Sequence, residues 1–282
     1  MNKYKETVMK YVFLFCACIS VIAVFLICIF LFANGLPAIN EIGFKEFIFG
    51  TKWKPTSNLY GIFPMIIGSI YATAGAIIIG VPIGILTSIF MAHFCGERLY
   101  KILKPAINLL AGIPSVVYGF FGLMVIVPFI RDTFGGSGSS LLAASIVLGI
   151  MILPTIIGVS EAALRSVPDS YYEGSLALGA SHERSVFFAV FPAAKSGVMA
   201  GVILGIGRAI GETMAVIMVA GNQAVIPQSI FKGARTLTAN IVLEMGYAAD
   251  LHREALIATA VVLFVFILII NVSVSLIKRR IS

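Results

Sequence analysis

The stretch GVMAGVILGIGRAIGETMAVIMVA, residues 197–220, decides how the rest of the chain is read. A helix crossing a hydrocarbon core about 30 Å thick needs roughly 20 mostly apolar residues, and this stretch supplies them. As one continuous helix it has its midpoint at Arg208 and Ala209. An arginine at the bilayer centre costs about 2.5–3.5 kcal/mol on insertion scales. Glu212 follows at i+4, which on a continuous helix places it on the same face, one turn further on. Arg before Glu is the less favourable order for an isolated helical pair, so helix stability is a weak reason for keeping it. Two readings follow: a buried ion pair that fixes helix rotation, or a polar site lining a pathway. Intramembrane ionisable residues favour the second. A guanidinium fork suits a small oxyanion, because it donates two parallel hydrogen bonds to phosphate or carboxylate oxygens. Gly197, Gly201 and Gly205 recur every four residues, as do Gly207 and Gly211. Small residues at this spacing let another helix approach closely.

Five further stretches are long and apolar enough to cross: 11–33, 61–93, 105–130, 140–160 and 255–277. The whole chain has the same character. Apolar residues are 59% of its 282 residues and charged residues 12%, against about 25% charged in an average soluble domain. Mean hydropathy is +1.03. A soluble globular protein and a disordered chain are both excluded. The first stretch follows Lys3, Lys5 and Lys10 but is too long for a signal peptide, so it reads as a retained anchor. The formal net charge of +7 is a topology signal rather than a nucleic-acid footprint. With the N-terminus inside, Lys3, Lys5, Lys10, Arg98, Lys101, Lys104, Arg165, Arg184, Lys195, Lys278, Arg279 and Arg280 fall on the inner side, mostly beside span ends. The basic residues of the outer loops are fewer and are offset by Glu41, Glu46, Asp132, Glu244, Asp250 and Glu254. The positive-inside rule therefore puts both termini in the cytoplasm.

Between the spans, the outer loop after residue 34 holds the lone tryptophan, Trp53, with Phe44, Phe47 and Ile48 spaced for one helical face. This predicts a segment lying in the membrane interface. The outer loop 221–254 is polar enough to meet a partner. The inner loop, about 161–196, is too polar to cross yet well patterned. Ser166, Pro168 and Asp169 read as a helix start, and Gly179 as its stop. Ser181 with Glu183 starts a second short helix, which Pro192 is expected to end. Two short helices in a turn fit either a docking surface or an amphipathic loop lying on the membrane.

Other features carry less. Cys16, Cys18, Cys28 and Cys95 lie in or beside apolar runs and imply no disulfide or metal framework. His93, His182 and His252 show no ligand spacing. Pro82, Pro114 and Pro154 are expected to kink their spans or free carbonyls, and Ser115 and Tyr118 to hydrogen-bond back to their own helix, with contact to a substrate as the alternative. No G-x-x-x-x-G-K-[ST] phosphate loop occurs, so any ATP used must be bound by another chain.

The run Glu173-Gly174-Ser175, then Gly179, then Ala189-Val190-Phe191-Pro192 resembles the "EAA" loop of ABC importer permeases. Glu173, Gly179 and Pro192 match in identity, and other small or apolar residues fill the remaining positions. The segment 207–216, GRAIGETMAV, together with 111–122, AGIPSVVYGFFG, is similar to the permease subunits of the phosphate-specific ABC importer. The segment 237–247, LTANIVLEMGY, resembles the C-type subunit rather than the A-type. The resemblance runs from about residue 34 to the C-terminus. It implies an all-α integral membrane protein with the type I importer permease fold and six transmembrane helices. Residues 1–34 would hold the N-terminus and first span, 35–60 an outer loop, and 61–282 the permease core. It implies a heterodimer with an A-type permease, two copies of an ATPase subunit that carry the ATP and magnesium, and an extracytoplasmic phosphate-binding protein. Glu173, Gly179 and Pro192 would mark the coupling loop, and Arg208 and Glu212 would be the charged pair of the translocation path. The open alternatives are a permease for another oxyanion such as molybdate or sulfate, an ATP-independent channel, and a membrane enzyme.

Overall fold

The computed structural model describes the backbone of residues 3–281 and the side chains of residues 5–273 and Leu276. The side chains of Lys3, Lys278, Arg279 and Arg280, four of the basic residues expected on the inner side, lie outside this set. The chain is almost entirely helical, as an apolar chain in lipid must be, because a helix satisfies its backbone groups internally. Helix α1 is Lys3–Ile42, α2 Phe44–Phe49, α3 Phe63–Ile89, α4 Glu97–Gly112, α5 Ser115–Phe121, α6 Val127–Phe134 and α7 Leu141–Arg165. Then come α8 Asp169–Ala177, α9 His182–Ser185, α10 Phe191–Gly211, α11 Met214–Val219, α12 Leu237–Met245 and α13 Asp250–Ile281. Three π-helical turns, at Phe90–Phe94, Gly122–Ile126 and Val186–Val190, continue α3, join α5 to α6 and join α9 to α10.

Among the described residues six helical runs can cross a membrane: Lys5–Ile42, Phe63–Phe94, Ser115–Phe134, Leu141–Arg165, His182–Gly211 and Asp250–Ser273. Six crossings leave both chain ends on one side. Two of the runs differ from the sequence expectation. The third starts at Ser115 rather than near 105, because Pro114 biases the preceding residue towards extended backbone, and Ile113 adopts φ −69°, ψ 127°. The preceding α4 is a separate helix that presents Tyr100, Leu103 and Ile107 to Met91, Leu153 and Ile157. The fifth begins at His182 and ends at Gly211, so Arg208 lies in its last turn rather than at its midpoint. Pro192, expected to stop the second short inner helix, instead sits in the first turn of α10, where a missing N–H costs little.

The largest core is built on α7, with Ala144, Leu148, Met151, Ile152 and Ile156 buried between α3, α5, α10 and α11. Close approach comes from one of the two glycine rows in α10. A Cβ on Gly205 would meet Ile156 at 2.8 Å, and one on Gly201 would meet Ser160 at 2.9 Å. From the other side a Cβ on Gly84 of α3 would also reach Ile156 at 2.8 Å, so Ile156 is wedged between two bare backbones. A Cβ on Gly207 or Gly211 would meet nothing within 4 Å, so the second row does not pack within this chain.

At the terminal end a buried carboxylate organises three elements. Glu161 is 1% exposed. It accepts hydrogen bonds from Tyr100 Oη at 2.7 Å, Lys104 Nζ at 2.5 Å and Arg165 Nε at 2.9 Å. Arg165 also donates to the Met91 carbonyl at 2.8 Å and lies 4.5 Å from the Tyr100 ring centre. The bond to Glu161, with burial, raises the Tyr100 phenol above its ordinary range. The apolar pattern alone ends the fourth span at residue 160 and puts Glu161 in a loop. The helix runs on to Arg165 because these bonds satisfy its charges.

At the far end a two-stranded hairpin pairs Trp53 with Tyr60. Within the expected interfacial segment, Phe47, Trp53 and Tyr60 are buried with Ile62, Leu237 and Leu256. Of the aromatic residues expected there, Phe44 stays exposed.

Gly205→Val should destabilise the purified protein by about 1–3 kcal/mol through overpacking against Ile156, whereas Gly158→Ala, where nothing lies within 4 Å, should stay within about 0.5 kcal/mol. Unfolding in detergent followed by circular dichroism checks both. Glu161→Ala should cost about 1–3 kcal/mol by stranding Lys104 and Arg165, a figure reduced because both are partly solvated. The same unfolding measurement checks it.

Candidate functional site: a broken span beside an unneutralised arginine

Helix α10 carries Arg208 in its last turn and stops at Gly211. Glu212 is extended, at φ −71° and ψ 134°, and Thr213 lies at φ −124° and ψ −59° before α11 begins. The expected continuous helix over 197–220 is therefore broken, and the i+4 geometry that would stack Glu212 on Arg208 does not exist. The local cause is chemical. Glycine is a poor helix former, and the Glu212 side chain competes for main-chain amides. Its Oε1 accepts from Ala215 N at 3.3 Å and so caps α11. Non-helical backbone at membrane depth persists only where it is buried in protein or lines a cavity.

Arg208 is half-buried and donates from Nη1 to Thr155 Oγ1, 3.3 Å away on α7. Among the described residues it forms no ion pair within 4.0 Å. The guanidinium thus keeps its charge and most of its donors beside a neutral hydroxyl. Tyr118, on α5, lies within electrostatic reach of Arg208. Its hydroxyl donates to the Leu110 carbonyl at 2.7 Å, across the Ile113–Pro114 break rather than within its own helix.

The far side of the break is held by the segment 221–249, which folds back onto the bundle instead of standing free. Asn222 Nδ2 donates to the Ile217 carbonyl at 2.7 Å, and Thr238 Oγ1 to the Glu212 carbonyl at 3.0 Å. This segment is pinned by Glu244, which is 6% exposed. Glu244 accepts from Arg235 Nη1 at 2.6 Å, Trp53 Nε1 at 2.8 Å and His252 Nε2 at 2.8 Å. Since a carboxylate only accepts, His252 carries its proton on Nε2 here. No sequence signal marks Thr155, Thr238 or Glu244 as part of this site, because each acts through a partner on a distant segment.

The loop at the terminal end is shorter than the expected 161–196, because only 166–181 leaves the spanning helices. Helix α8 starts at Asp169 and carries an exposed Glu173. Its stop at Gly179 takes the form that glycine allows: φ is +86°, Gly179 N donates to the Leu176 carbonyl at 2.9 Å, and Ala180 N to the Ser175 carbonyl at 3.2 Å. This is the paired bond pattern of a Schellman motif. Leu178, directly before that glycine, is 91% exposed.

Comparison with known proteins agrees with this architecture. Residues 80–282 match the family model described as "binding-protein-dependent transport system inner membrane component". A probable ABC transporter permease protein of Bacillus subtilis, YqgH, is 44% identical over 267 residues, covering 91% of this chain and 86% of the relative. The phosphate transport system permease protein PstC of Mesorhizobium japonicum is 35% identical over 265 residues, covering 86% and 81%. Among solved structures, a chain of a bacterial ABC transporter involved in the import of the acidic polysaccharide alginate shares the fold. Its TM-score is 0.66 at 14% identity, over 100% of both chains. Six spanning runs, a broken fifth span, an exposed glycine-stopped helix between spans and these similarities lead to one conclusion: the chain belongs to the binding-protein-dependent transport system inner membrane components, the multi-pass permeases of ABC importers.

Proposed function

We propose that this chain is the C-type transmembrane permease of an ATP-driven importer of inorganic phosphate in the cytoplasmic membrane. The observation that carries the reading is Arg208: a charged fork within the bundle, held by a neutral threonine and left without a carboxylate. Such a group offsets part of the desolvation cost of a small oxyanion and presents two donors in a plane. The names of the relatives support phosphate as that oxyanion. Glu212, one linker residue beyond α10, adds a negative charge near the same break, which limits how tightly an anion is held and lets it leave.

In this reading both termini are cytoplasmic. An A-type permease completes the path, and an extracytoplasmic binding protein delivers phosphate at the Trp53 end. Two ATPase subunits bind ATP and magnesium at the other end, and no nucleotide or metal is held by this chain. Residues 166–181 form the coupling element, with Glu173 on its exposed helix and Gly179 at its stop. Pro192 opens the long helix that connects it to Arg208. The exposed Leu178 fits an apolar groove on an ATPase subunit, and the membrane lipid covers the outward faces of the spans.

Radiolabelled phosphate uptake, in a strain with no other phosphate transporter, tests the reading. Arg208→Ala should lower uptake by about 10- to 100-fold, the loss of a charge-assisted hydrogen bond, with assembly intact. Normal uptake by that variant removes the path role, and inhibition by molybdate or sulfate stronger than by unlabelled phosphate reassigns the substrate. Leu178→Glu should abolish co-purification of the ATPase subunit while the variant still inserts in the membrane; retained co-purification overturns the docking role of Leu178.

A further inference from the structure

Glu212 is gripped from two sides, and only the side-chain contact to α11 is local. The other grip comes from 26 residues further along the chain, where Thr238 Oγ1 lies 3.0 Å from the Glu212 carbonyl. Thr238 Oγ1 is also 3.0 Å from Thr236 Oγ1, and Thr236 Oγ1 accepts from Ala239 N at 3.2 Å. Both threonines are buried, at 7% and 6% exposure.

The proton positions follow. Each hydroxyl has one proton, and the Glu212 carbonyl can only accept, so the Thr238 proton points to Glu212. Thr236 must then donate to Thr238. The chain runs one way, from the first-turn amide of α12 through Thr236 and Thr238 to the Glu212 carbonyl. Successive bonds of this kind polarise one another. The start of α12 is itself fixed, because Leu237 N donates to Ser69 Oγ on α3 at 2.9 Å. The other end of α11 is held too, with Ala234 N donating to the Ala220 carbonyl at 2.9 Å. The linker between Arg208 and α11 is therefore clamped to α3 through α12.

We propose that Thr238 is a positioning residue for anion passage. It acts through the Glu212 carbonyl, fixing the direction in which the linker leaves α10 and hence where the Glu212 carboxylate stands relative to the Arg208 fork. The inference rests on the reading that Arg208 and Glu212 line the path. Thr238→Val keeps the side-chain shape, removes the donor, and leaves both the Glu212 carbonyl and the Thr236 proton without a partner. With the linker released, the ATPase cycle continues but carries the anion less often.

The readout is phosphate moved per ATP hydrolysed, measured on the complete importer in proteoliposomes loaded with its binding protein. T238V should lower this ratio about fivefold, the worth of one hydrogen bond, with subunit assembly and stimulated ATP hydrolysis retained. T238S should restore it to within about twofold, since it keeps the hydroxyl. An unchanged ratio in T238V, a T238S as impaired as T238V, or uptake and hydrolysis falling in proportion overturns the proposal. So does failure of both T238V and T238A to assemble, which makes Thr238 a folding residue. Arg208→Lys measured in parallel separates the two ideas: an unimpaired R208K defeats the path reading, whereas an impaired R208K with an unchanged T238V ratio defeats only the role of Thr238.

Discussion

A helix that stops inside a packed bundle leaves amides and carbonyls without their ladder partners, and this bundle is arranged around one such stop. Between Gly211 and Met214, where the fifth spanning run ends, the hydrogen-bond ladder is given up. The Ala215 amide is taken up by the Glu212 side chain, the Gly211 carbonyl by the Thr213 hydroxyl, and the Glu212 carbonyl by the Thr238 hydroxyl of the segment that follows. The cationic end of α10 is left facing a threonine rather than an acid.

Two buried carboxylates stand at opposite ends of the bundle, and their surroundings differ in kind. Glu161 gathers donors from α4 and α7, and through Arg165 it reaches the π turn that ends α3, so it ties helices together just before the segment 166–181 departs. Glu244 gathers donors from the first outer segment, from its own loop and from the last helix, so it ties loops together. In both cases three donors surround one carboxylate, the condition under which a buried charge is tolerated.

The spans are legible in the sequence because so few charges leave an apolar chain no other way to fold, and the Gly197, Gly201 and Gly205 row is legible because packing needs small residues at that interval. Gly179 is legible as a stop because only its backbone tolerates the left-handed turn. Glu212 is misplaced by counting in fours, which assumes that the helix goes on, and what ends it is partly a hydroxyl 26 residues away. Trp53 reads as interfacial because a lone aromatic in an outer loop usually sits there; its partner, Glu244, lies 191 residues further along. Glu161 falls out of its span because an acid after an apolar run reads as a loop when its lysine, tyrosine and arginine partners are out of sight. In each case the periodic, local part of the code is readable, and the polar contacts between distant segments are not.

Along its last turns helix α1 meets α13: Phe32 lies edge-on to Phe264 at 6.1 Å, and Gly35 lets Ala258 and Val261 come close. That contact joins two segments far apart in the chain. Closing the bundle there is therefore an encounter between helices that no short connection brings together.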